Sequence, residues 1–385
     1  MTYNTKPLKY LILITICACL LTACGKEQSN MSTENTIKET PMENTGSKPI
    51  STPEPTASPE PTSSPEPTAS PEPTPTPSPD IPSTHTAQHG ALRVEDADLV
   101  DQNGEKFQLY GMSTHGIAWF PQYVSKESFE TLRDDWNTNC VRLAMYTQEN
   151  GGYCTDGNKE ELKTLVKNGV EYATELGMYV IIDWHILSDQ DPNVHKEEAI
   201  SFFQEMSSSF ADYTNVLYEI CNEPNGYATW DSVKSYAEEV IPVIRANDND
   251  AVIIVGSPTW SQDIHLAAQN PLEYDNILYA LHFYAGTHKD DLRDRLETCI
   301  TNGLPIIISE FGMCDASGNG ANDFDSAAKW MELIEKYNLS FFCWNLANKN
   351  ESSSVFKASS RNLSNWTDED LNESGKWIRE YFRGK

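Results

Sequence analysis

From residue 109 onward, short apolar runs alternate with longer stretches in which apolar residues recur at a helical spacing. A short apolar run bounded by polar or turn residues is typical of a strand that is buried on both faces, as in a parallel sheet. Eight runs are predicted to be strands, at 109–113, 140–144, 179–183, 216–220, 252–255, 277–282, 305–310 and 340–344.

The stretches between these strands carry the pattern of amphipathic helices. In 159–176, Leu162, Val166 and Val170 fall on one face, and Gly177 provides a stop. Similar patterns occur around 199–210, 231–246 and 327–334. Repeated strand–helix alternation over about 300 residues predicts an α/β fold, a (β/α)8 TIM barrel. A doubly wound open sheet is the competing architecture, but no Gly-x-Gly-x-x-Gly follows the first strand, which weakens a dinucleotide-binding version.

A short β-hairpin is predicted ahead of the barrel. Segments 91–94 and 106–109 have strand character, and residues 101–104, which end in Asn103-Gly104, are the predicted turn. The folded domain is therefore expected to cover residues 89–385.

The first residues have the pattern of an export signal. Lys6 and Lys9 precede an apolar run over 10–21 that is too short to span a bilayer. The sequence Leu-Thr-Ala-Cys-Gly that follows resembles a bacterial lipobox, which implies cleavage after residue 23 and lipidation of Cys24; the alternative is an ordinary signal peptide with a chance cysteine. We therefore expect an exported protein that is lipid-anchored to the cell membrane, with its folded domain extracellular.

Residues 24–88 are predicted to be a disordered linker. Thirteen of the 22 prolines lie between Pro49 and Pro82, where 56–61, 62–67 and 68–73 repeat one Ser-Pro-Glu-Pro-containing unit. Proline fixes φ and removes a backbone donor, so this segment favours an extended, semi-rigid conformation. It is either a stalk that spaces the domain from the membrane or a linker whose length is unimportant.

The charge balance limits the partners. The chain has 57 acidic and 28 basic residues, a formal net charge of −29. Nucleic acids and anionic lipid surfaces require a basic face, so neither is expected as a partner of the folded domain. A neutral or cationic substrate is compatible with this charge.

Two glutamates stand where predicted strands end. Glu223 follows the fourth strand in Asn222-Glu223-Pro224, and Glu310 ends the seventh. Burying a carboxylate at the end of a strand costs free energy, so such a residue is expected to have hydrogen-bonding or charged partners or to serve a function. Asn-Glu-Pro alone is weak evidence, because Asn and Pro are ordinary turn residues. However, the carboxyl ends of barrel strands meet at one rim. A pair of carboxylates at one site is the arrangement that glycosidases use to hydrolyse a glycosidic bond.

Most of the other strand ends also carry polar or aromatic side chains. Their convergence at one rim favours a substrate site over a set of unrelated structural polar groups. These residues are His115, Trp119, Arg142, Tyr146, His185, Asn222, Trp260, His282, Tyr284, Trp344, Lys349 and Glu351.

Taken in order, these segments resemble the motifs of glycoside hydrolase family 5, the cellulase family A, and within it the bacterial endo-β-1,4-glucanase branch. The resemblance covers about residues 90–385. The segments that carry it are 111–116, 141–146, 181–189, 218–226 (Tyr-Glu-Ile-Cys-Asn-Glu-Pro-Asn-Gly), 280–288, 309–312 (Ser-Glu-Phe-Gly) and 344–353. Two positions depart from the family pattern, Phe311 where many relatives have Trp and Cys221 where Ala is frequent, and both bear on local packing.

The resemblance implies a (β/α)8 barrel that cleaves β-1,4-glucan with retention of anomeric configuration, without a cofactor or metal. It implies that Glu223 is the acid/base and Glu310 the nucleophile, and that Arg142 and Tyr284 stabilise the Glu310 carboxylate and lower its pKa. The resemblance further implies that Asn222 contacts the sugar 2-hydroxyl and that His185 and His282 flank the cleavage site. The residues implied to bind sugars on the non-reducing side are His115, Trp119, Trp344, Lys349 and Glu351. Trp260 is implied to bind on the other side, and Tyr146 is a further substrate-binding residue.

Several alternatives stay open at this point. The same chemistry could act on mannan, xyloglucan or mixed-linkage glucan, and a non-catalytic glycan-binding barrel is a different class of function. His185, His282 and Glu310 could be read as metal ligands, but they come from separate strands with no local ligand pair. A monomer is expected. Buried free thiols are expected at Cys140, Cys221 and Cys343, which lie in or beside predicted strands. Export would permit a Cys299–Cys314 disulfide, but no spacing supports it.

Overall fold

The computed structural model describes residues 85–385, so the predicted signal segment, Cys24 and nearly all of the predicted linker lie outside the described residues. Eight parallel strands close into a barrel that is preceded by a two-stranded antiparallel hairpin. The hairpin strands are β1 (Arg93–Glu95) and β2 (Asp98–Val100). The barrel strands are β3 (Tyr110–Thr114), β4 (Cys140–Tyr146), β5 (Tyr179–His185), β6 (Val216–Glu219), β7 (Ile253–Val255), β8 (Ile277–Tyr284), β9 (Ile306–Gly312) and β10 (Phe341–Leu346).

The predicted TIM barrel is confirmed, and each predicted strand is present. Five of the barrel strands, β4, β5, β8, β9 and β10, extend two residues further toward the carboxyl end than the apolar runs indicated. The polar residues at those ends stay in the ladder, as in the pairing of His282 with Glu310 across β8 and β9. The rim of the barrel is therefore built from strand residues, which hold side chains more rigidly than loops do.

Helices cover the outside of the barrel. They are α1 (His85–His89), α2 (Lys126–Asp134), α3 (Lys159–Glu175), α4 (Lys196–Ser209), α5 (Trp230–Arg245), α6 (Pro258–Ser261), α7 (Ile264–Gln269), α8 (Asp290–Thr301), α9 (Phe324–Lys336) and α10 (Glu373–Arg383), with 3-10 turns at Pro121–Tyr123 and Pro192–His195. The four predicted helical patterns correspond to α3, α4, α5 and α9. Helix α3 begins after Asn158, whose side chain accepts from the backbone N–H of Glu161, and stops ahead of Gly177 at φ +67°. None of the helices within residues 85–385 combines the length and apolar character needed to cross a membrane.

The side-chain alternation along each strand divides the core into two layers. On β5, Val180 and Ile182 pack outward in the large core between strands and helices. Tyr179 and Ile181 point into the barrel, where they pack in a second cluster with Leu217, among others. Because successive side chains alternate, Asp183 and His185 continue the inward-facing row above this apolar plug. The plug fills the lower barrel, so the polar side chains collect at the carboxyl end.

The predicted hairpin was wrong in its pairing. Strand β1 pairs with β2 through a turn at Asp96, which adopts φ +53°, and not with segment 106–109. The turn at 101–104 does form, since the N–H of Gly104 donates to the carbonyl of Asp101, but it returns the chain to β2, where Lys106 bridges Val100. An acidic residue in the left-handed region closes the first turn without the Gly or Asn-Gly signal on which the prediction depended.

All six cysteines among the described residues are free. Cys140, Cys221 and Cys343 are buried, as predicted, and Cys299 and Cys314 are buried without forming a disulfide.

Candidate active site

A cavity of about 560 Å³ lies at the carboxyl ends of the barrel strands. Eleven of the residues predicted to form the site line it: His115, Tyr146, His185, Glu223, Trp260, His282, Tyr284, Glu310 and Trp344, with Lys349 and Glu351 from the loop after β10. Sequence reasoning missed other lining residues, which are Leu187, Thr259, Gln262, His288, Ala316, Ser317, Gly318 and Ser353. Apart from Thr259 in the short α6, these lie on loops, where no periodic pattern marks which side chains turn inward.

Glu310 is held by two hydrogen-bond donors. The hydroxyl of Tyr284 donates to Oε1 at 2.7 Å, and Nη1 of Arg142 donates to Oε2 at 3.3 Å. Only 4 % of Glu310 is exposed, at the floor of the cavity. Because each carboxylate oxygen accepts from a donor, the ionised form of Glu310 is oriented and stabilised.

Glu223 lines the same cavity as Glu310. Its Oε1 is 2.9 Å from Nδ1 of His282. One carboxylate oxygen of Glu223, one of Glu310 and a ring nitrogen of His282 all lie within 4.8 Å of one another. Carboxyl groups of retaining glycosidases lie about 5–5.5 Å apart, and those of inverting enzymes about 6.5–9.5 Å. The spacing therefore has the geometry of a retaining pair.

Burial sets the direction of the pKa of Glu310. Burial and then the negative charge of Glu223 raise this pKa above its ordinary value, although His282 and Arg142 act to lower it. The expectation of a lowered pKa was therefore wrong in its net direction. Arg142 acts to lower the pKa of Glu310, as expected. The sequence could not reveal how completely the Glu310 carboxyl would be removed from water.

Arg142 is the centre of a fully buried ionic network. Its Nε donates to Oε2 of Glu219 at 2.7 Å, its Nη2 donates to Oδ1 of Asn222 at 2.7 Å, and the same Nη2 lies 3.1 Å from Asp183. Burial alone would lower the pKa of Arg142, but the carboxylates of Asp183, Glu219 and Glu310 raise it above its usual range. Arg142 is therefore a permanent cation directly beneath Glu310.

A second row of hydrogen bonds connects Glu219 to Glu223. The hydroxyl of Ser309 donates to Oε1 of Glu219 at 2.7 Å and lies 2.9 Å from Nε2 of His282. Burial would lower the pKa of His282, but its contacts with Glu219 and Glu223 and the charge of Glu310 raise it to about 9. His282 is thus a cation at neutral pH, with both ring nitrogens engaged.

Glu219 and Ser309 are functional-site residues that sequence reasoning missed. A signal for Glu219 did exist, because a carboxylate within the apolar run 216–220 needs a partner. Ser309 carried no such signal, since its importance depends on the register that places β9 beside β8.

Asn222 lies beneath the cavity and is fully buried. Its amide nitrogen donates to the carbonyl of Ile186 at 3.1 Å and lies 3.2 Å from Nε2 of His185. Nδ1 of His185 is 2.6 Å from Oδ2 of Asp183. Burial first, and then Arg142, lower the pKa of His185 to about 4, so this ring is neutral at neutral pH.

One end of the cavity is formed by His115, Trp344, Lys349 and Glu351. Nζ of Lys349 is 2.6 Å from Glu351 and 3.2 Å from Nε2 of His115. Burial and the charge of Lys349 lower the pKa of His115 to about 3, so His115 accepts hydrogen bonds as a neutral ring. Trp344 stacks on His185 with ring centroids 5.2 Å apart. This end combines an aromatic face with charged hydrogen-bonding groups.

Two tryptophans stand at the edges of the site. Trp119 does not line the cavity itself but packs on Tyr146 with ring centroids 4.7 Å apart, and 37 % of it is exposed. Trp260 lines the opposite part of the cavity, and 45 % of it is exposed. Its backbone N–H donates to the carbonyl of Pro224 at 3.0 Å, which ties Trp260 to the loop that carries Glu223. Exposed aromatic rings at both edges favour a ligand that extends across the site.

The donor set fits a proton network better than a metal centre. Glu223, His282 and Glu310 are close enough together to surround a cation. However, both ring nitrogens of His282 are already engaged by protein groups, Nδ1 by Glu223 and Nε2 by Ser309, which leaves neither nitrogen free to bind a metal. His185, the third ligand in the alternative interpretation, is not part of this cluster.

Comparisons with known proteins agree with this site. The family model described as Cellulase (glycosyl hydrolase family 5) matches residues 100–350. Endoglucanase A of Butyrivibrio fibrisolvens is 49% identical over 75% of this chain and 68% of its own length. An endoglucanase of Clostridium saccharobutylicum is 47% identical over 78% of this chain and 66% of its own length. The chain thus spans about two thirds of each of these relatives.

Solved structures give the same result. The catalytic domain of Thermobifida fusca endoglucanase Cel5A, solved in complex with cellotetraose, aligns with a TM-score of 0.74 and 39% sequence identity over 78% of this chain and 99% of that chain. The cellulase Cel5C_n aligns with a TM-score of 0.76 and 44% identity over 78% of this chain and 94% of that chain. On this evidence the chain belongs to glycosyl hydrolase family 5 and is a glycoside hydrolase.

Proposed function

We propose that this protein is an endo-β-1,4-glucanase that hydrolyses internal β-1,4-glucosidic bonds of cellulose and related β-glucans. The observation that carries the proposal is the pair of carboxylates within 4.8 Å, set in a cavity with aromatic side chains at both ends. Relatives at 45–49% identity are endoglucanases, and the Thermobifida fusca relative binds cellotetraose.

In the first step, Glu310 attacks the anomeric carbon while Glu223 donates its proton to the glycosidic oxygen. A bond forms between a carboxylate oxygen of Glu310 and the sugar, the bond to the leaving chain breaks, and that chain departs as an alcohol. Tyr284 and Arg142 orient the attacking carboxylate and stabilise its negative charge. Because both donors contact Glu310, Glu310 is assigned as the nucleophile and Glu223 as the acid.

In the second step, water replaces the leaving chain. Glu223, now a carboxylate, takes a proton from this water, whose oxygen attacks the anomeric carbon and releases Glu310. His282 stays cationic 2.9 Å from Glu223 and compensates the negative charge that Glu223 acquires. Two inversions give net retention at the anomeric carbon.

A neutral glucan fits the electrostatics of the site. The chain has a net charge of −29, which is compatible with a neutral substrate. Trp344 and Trp260 offer apolar faces to pyranose rings, and neutral His115 with Lys349 and Glu351 offers hydrogen-bonding partners to hydroxyl groups.

The proposal is tested with residues 85–385, the part of the chain that contains the whole barrel. Release of reducing ends is measured on carboxymethylcellulose, lichenan, mannan and xylan, with Glu310→Gln as the matched inactive variant. We expect release from the two β-glucans and a loss of several orders of magnitude in Glu310→Gln. Equal release by both proteins would refute the role of Glu310, and preference for mannan or xylan would refute the substrate assignment.

We also infer that the protein is exported and held on the outer surface of the cell membrane through lipidated Cys24. The inference depends on Lys6, Lys9 and the apolar run before Cys24. A second acyl chain on that residue would make the attachment stable, because one chain gives only marginal binding. Mass spectrometry of the mature N-terminus should find an acylated Cys24, and an unmodified N-terminus at another residue would contradict the inference.

A further inference from the structure

The segment that carries Trp260 forms a left-handed turn. Thr259, Trp260 and Ser261 adopt positive φ angles of 60°, 53° and 55°. Only glycine enters this region without a steric penalty, because the Cβ atom of any other residue comes too close to the following carbonyl oxygen. Three such residues in succession persist only where the surrounding structure holds them in place. The turn must therefore be held by its contacts with neighbouring segments.

Those contacts join the turn to the backbone on both sides of Glu223. The N–H of Trp260 donates to the carbonyl of Pro224 at 3.0 Å. The hydroxyl of Ser261 donates to the carbonyl of Asn222 at 2.7 Å. The residues that precede and follow Glu223 are thus both bonded to the turn that presents the Trp260 ring to the catalytic cavity.

Gly256 lets the two segments approach this closely. Its N–H donates to the carbonyl of Cys221 at 3.1 Å. A Cβ atom at this position would lie 2.4 Å from the same carbonyl oxygen and 2.8 Å from Oγ of Ser261. Because only glycine fits here, the loop after β7 lies directly against the loop after β6, and a shift of one loop displaces the other.

The side chain of Ser261 supplies one of these bonds. Ser261 is fully buried, and its Oγ accepts from the backbone N–H of Ser257 at 3.3 Å, so its own proton is directed to the carbonyl of Asn222. Ser257 is also fully buried, but its hydroxyl has no hydrogen-bond partner among the described residues. Two buried serines of one loop therefore differ in whether their hydroxyl contacts the segment that carries Glu223.

A small displacement of Glu223 is enough to slow proton donation. The donor must lie within hydrogen-bond reach of the glycosidic oxygen, at about 2.6–3.2 Å. A misplacement of about 1 Å in a catalytic geometry costs on the order of 100-fold in rate. The carboxyl of Glu223 extends from a backbone that is bonded through Asn222 and Pro224 to the turn, so its position depends on these bonds.

We propose that Ser261 is a positioning residue for the proton donor Glu223. Its hydroxyl fixes the backbone at Asn222 to the left-handed turn, which keeps the Glu223 carboxyl in line with the glycosidic oxygen of a chain that lies on Trp260. This inference rests on the proposed glycosidase mechanism. Loss of the Ser261 hydroxyl then impairs protonation of the leaving group and spares the attack by Glu310.

The test separates these two events by the choice of leaving group. kcat/KM, which reports the first bond-breaking step, is measured for the full chain, Ser261→Ala, Ser261→Gly and Ser257→Ala. Phenyl β-cellobioside has a leaving group that requires a proton, whereas the leaving group of 2,4-dinitrophenyl β-cellobioside departs as a stable anion. Glu223→Gln provides the reference pattern for loss of the acid. Ser257→Ala is the matched control, because it removes a buried hydroxyl that makes no hydrogen bond.

We expect Ser261→Ala to lose about 10- to 100-fold in kcat/KM on the phenyl substrate and less than about threefold on the dinitrophenyl substrate. Ser257→Ala should match the wild type on both. Ser261→Gly, which lacks the hydroxyl but suits a positive φ, should show the same selective loss and unfold at a higher temperature than Ser261→Ala.

Equal losses on the two substrates would mean that Ser261 only supports the fold, and an unchanged kcat/KM on the phenyl substrate would mean that its hydroxyl does not position Glu223. Either result overturns the inference. If Ser261→Ala does not fold, Ser261→Gly gives the same comparison. Failure of the wild type to cleave either substrate would instead refute the proposed function.

Discussion

Nδ1 of His282 lies 2.9 Å from Oε1 of Glu223, and Nε2 of the same ring lies 2.9 Å from the hydroxyl of Ser309. Through Ser309 the row continues to Glu219 and then to Arg142, which contacts Glu310. The proposed proton donor and the proposed nucleophile are therefore linked by an unbroken series of buried hydrogen bonds. A change of charge on Glu223 therefore alters the electrostatic potential at Glu310, because the protein interior screens charges weakly.

The first prediction concerns the pH dependence of stability. The pKa of His282 is raised from 6.5 to about 9 by its acidic neighbours, against the effect of burial. A raised pKa in the folded state stabilises the protein fully below pH 6.5, and this contribution is lost as the pH rises through about 9. It is on the order of 3 kcal/mol. Urea unfolding of the 85–385 protein should therefore show a falling free energy of unfolding between pH 6.5 and 9.5.

His282→Asn is the control for this effect. The variant should be less stable than the wild type at pH 6.5, and its free energy of unfolding should change much less up to pH 9.5. If the free energy of unfolding of His282→Asn falls with pH as steeply as that of the wild type, the pH dependence arises from other groups.

The second prediction concerns Glu219, whose negatively charged carboxylate lies beside both the His282 ring and the Arg142 guanidinium. Glu219→Gln keeps the shape but removes that charge, so the pKa of His282 should fall and the alkaline limb of kcat/KM should move to lower pH. Removal of one partner from a buried ion pair should also reduce the free energy of unfolding by roughly 3 kcal/mol. Glu175→Gln is the control, because Glu175 forms an exposed ion pair with Lys126, whose loss should leave the pH profile unchanged. An unshifted alkaline limb in Glu219→Gln would show that Glu219 acts only on stability.

The third prediction concerns the hydroxyl of Tyr284, which donates to Oε1 of Glu310 at 2.7 Å. Tyr284→Phe removes a donor that favours the ionised carboxylate, so the pKa of Glu310 should rise further and the acidic limb of kcat/KM should move to higher pH. We expect a loss of about 10- to 100-fold in kcat/KM at neutral pH. Tyr227→Phe, at a tyrosine that is 63 % exposed, should behave as the wild type. A loss in Tyr284→Phe with no shift of the acidic limb would indicate a steric role for the hydroxyl.

The barrel and much of the rim could be predicted because both follow from periodicity. Alternation along a strand places 179, 181, 183 and 185 on one face, and parallel strands bring their carboxyl ends together. Glu310 lies within β9 and its position in the cavity follows from these two rules, whereas Glu223 lies on the loop that follows β6.

The parts that could not be predicted depend on contacts between distant segments. Ser309 matters because β9 pairs with β8 in one particular register, and the hairpin was paired wrongly because Asp96 closes a turn without a glycine. The upward direction of the pKa of Glu310 depends on its burial, which is a property of the folded chain.

The last prediction concerns the stereochemistry of the product. Carboxylate oxygens of Glu223 and Glu310 lie within 4.8 Å of one another, which leaves no room for a water molecule on the face of the sugar that Glu310 occupies. The reaction must then proceed through a glycosyl-enzyme bond, and the first product should be the β-anomer. Proton NMR of cellopentaose hydrolysis, recorded before mutarotation, should show the β-anomeric signal first and the α-anomer only later. An initial α-anomeric signal would mean that water attacks directly, and Glu310 would then be a base instead of a nucleophile.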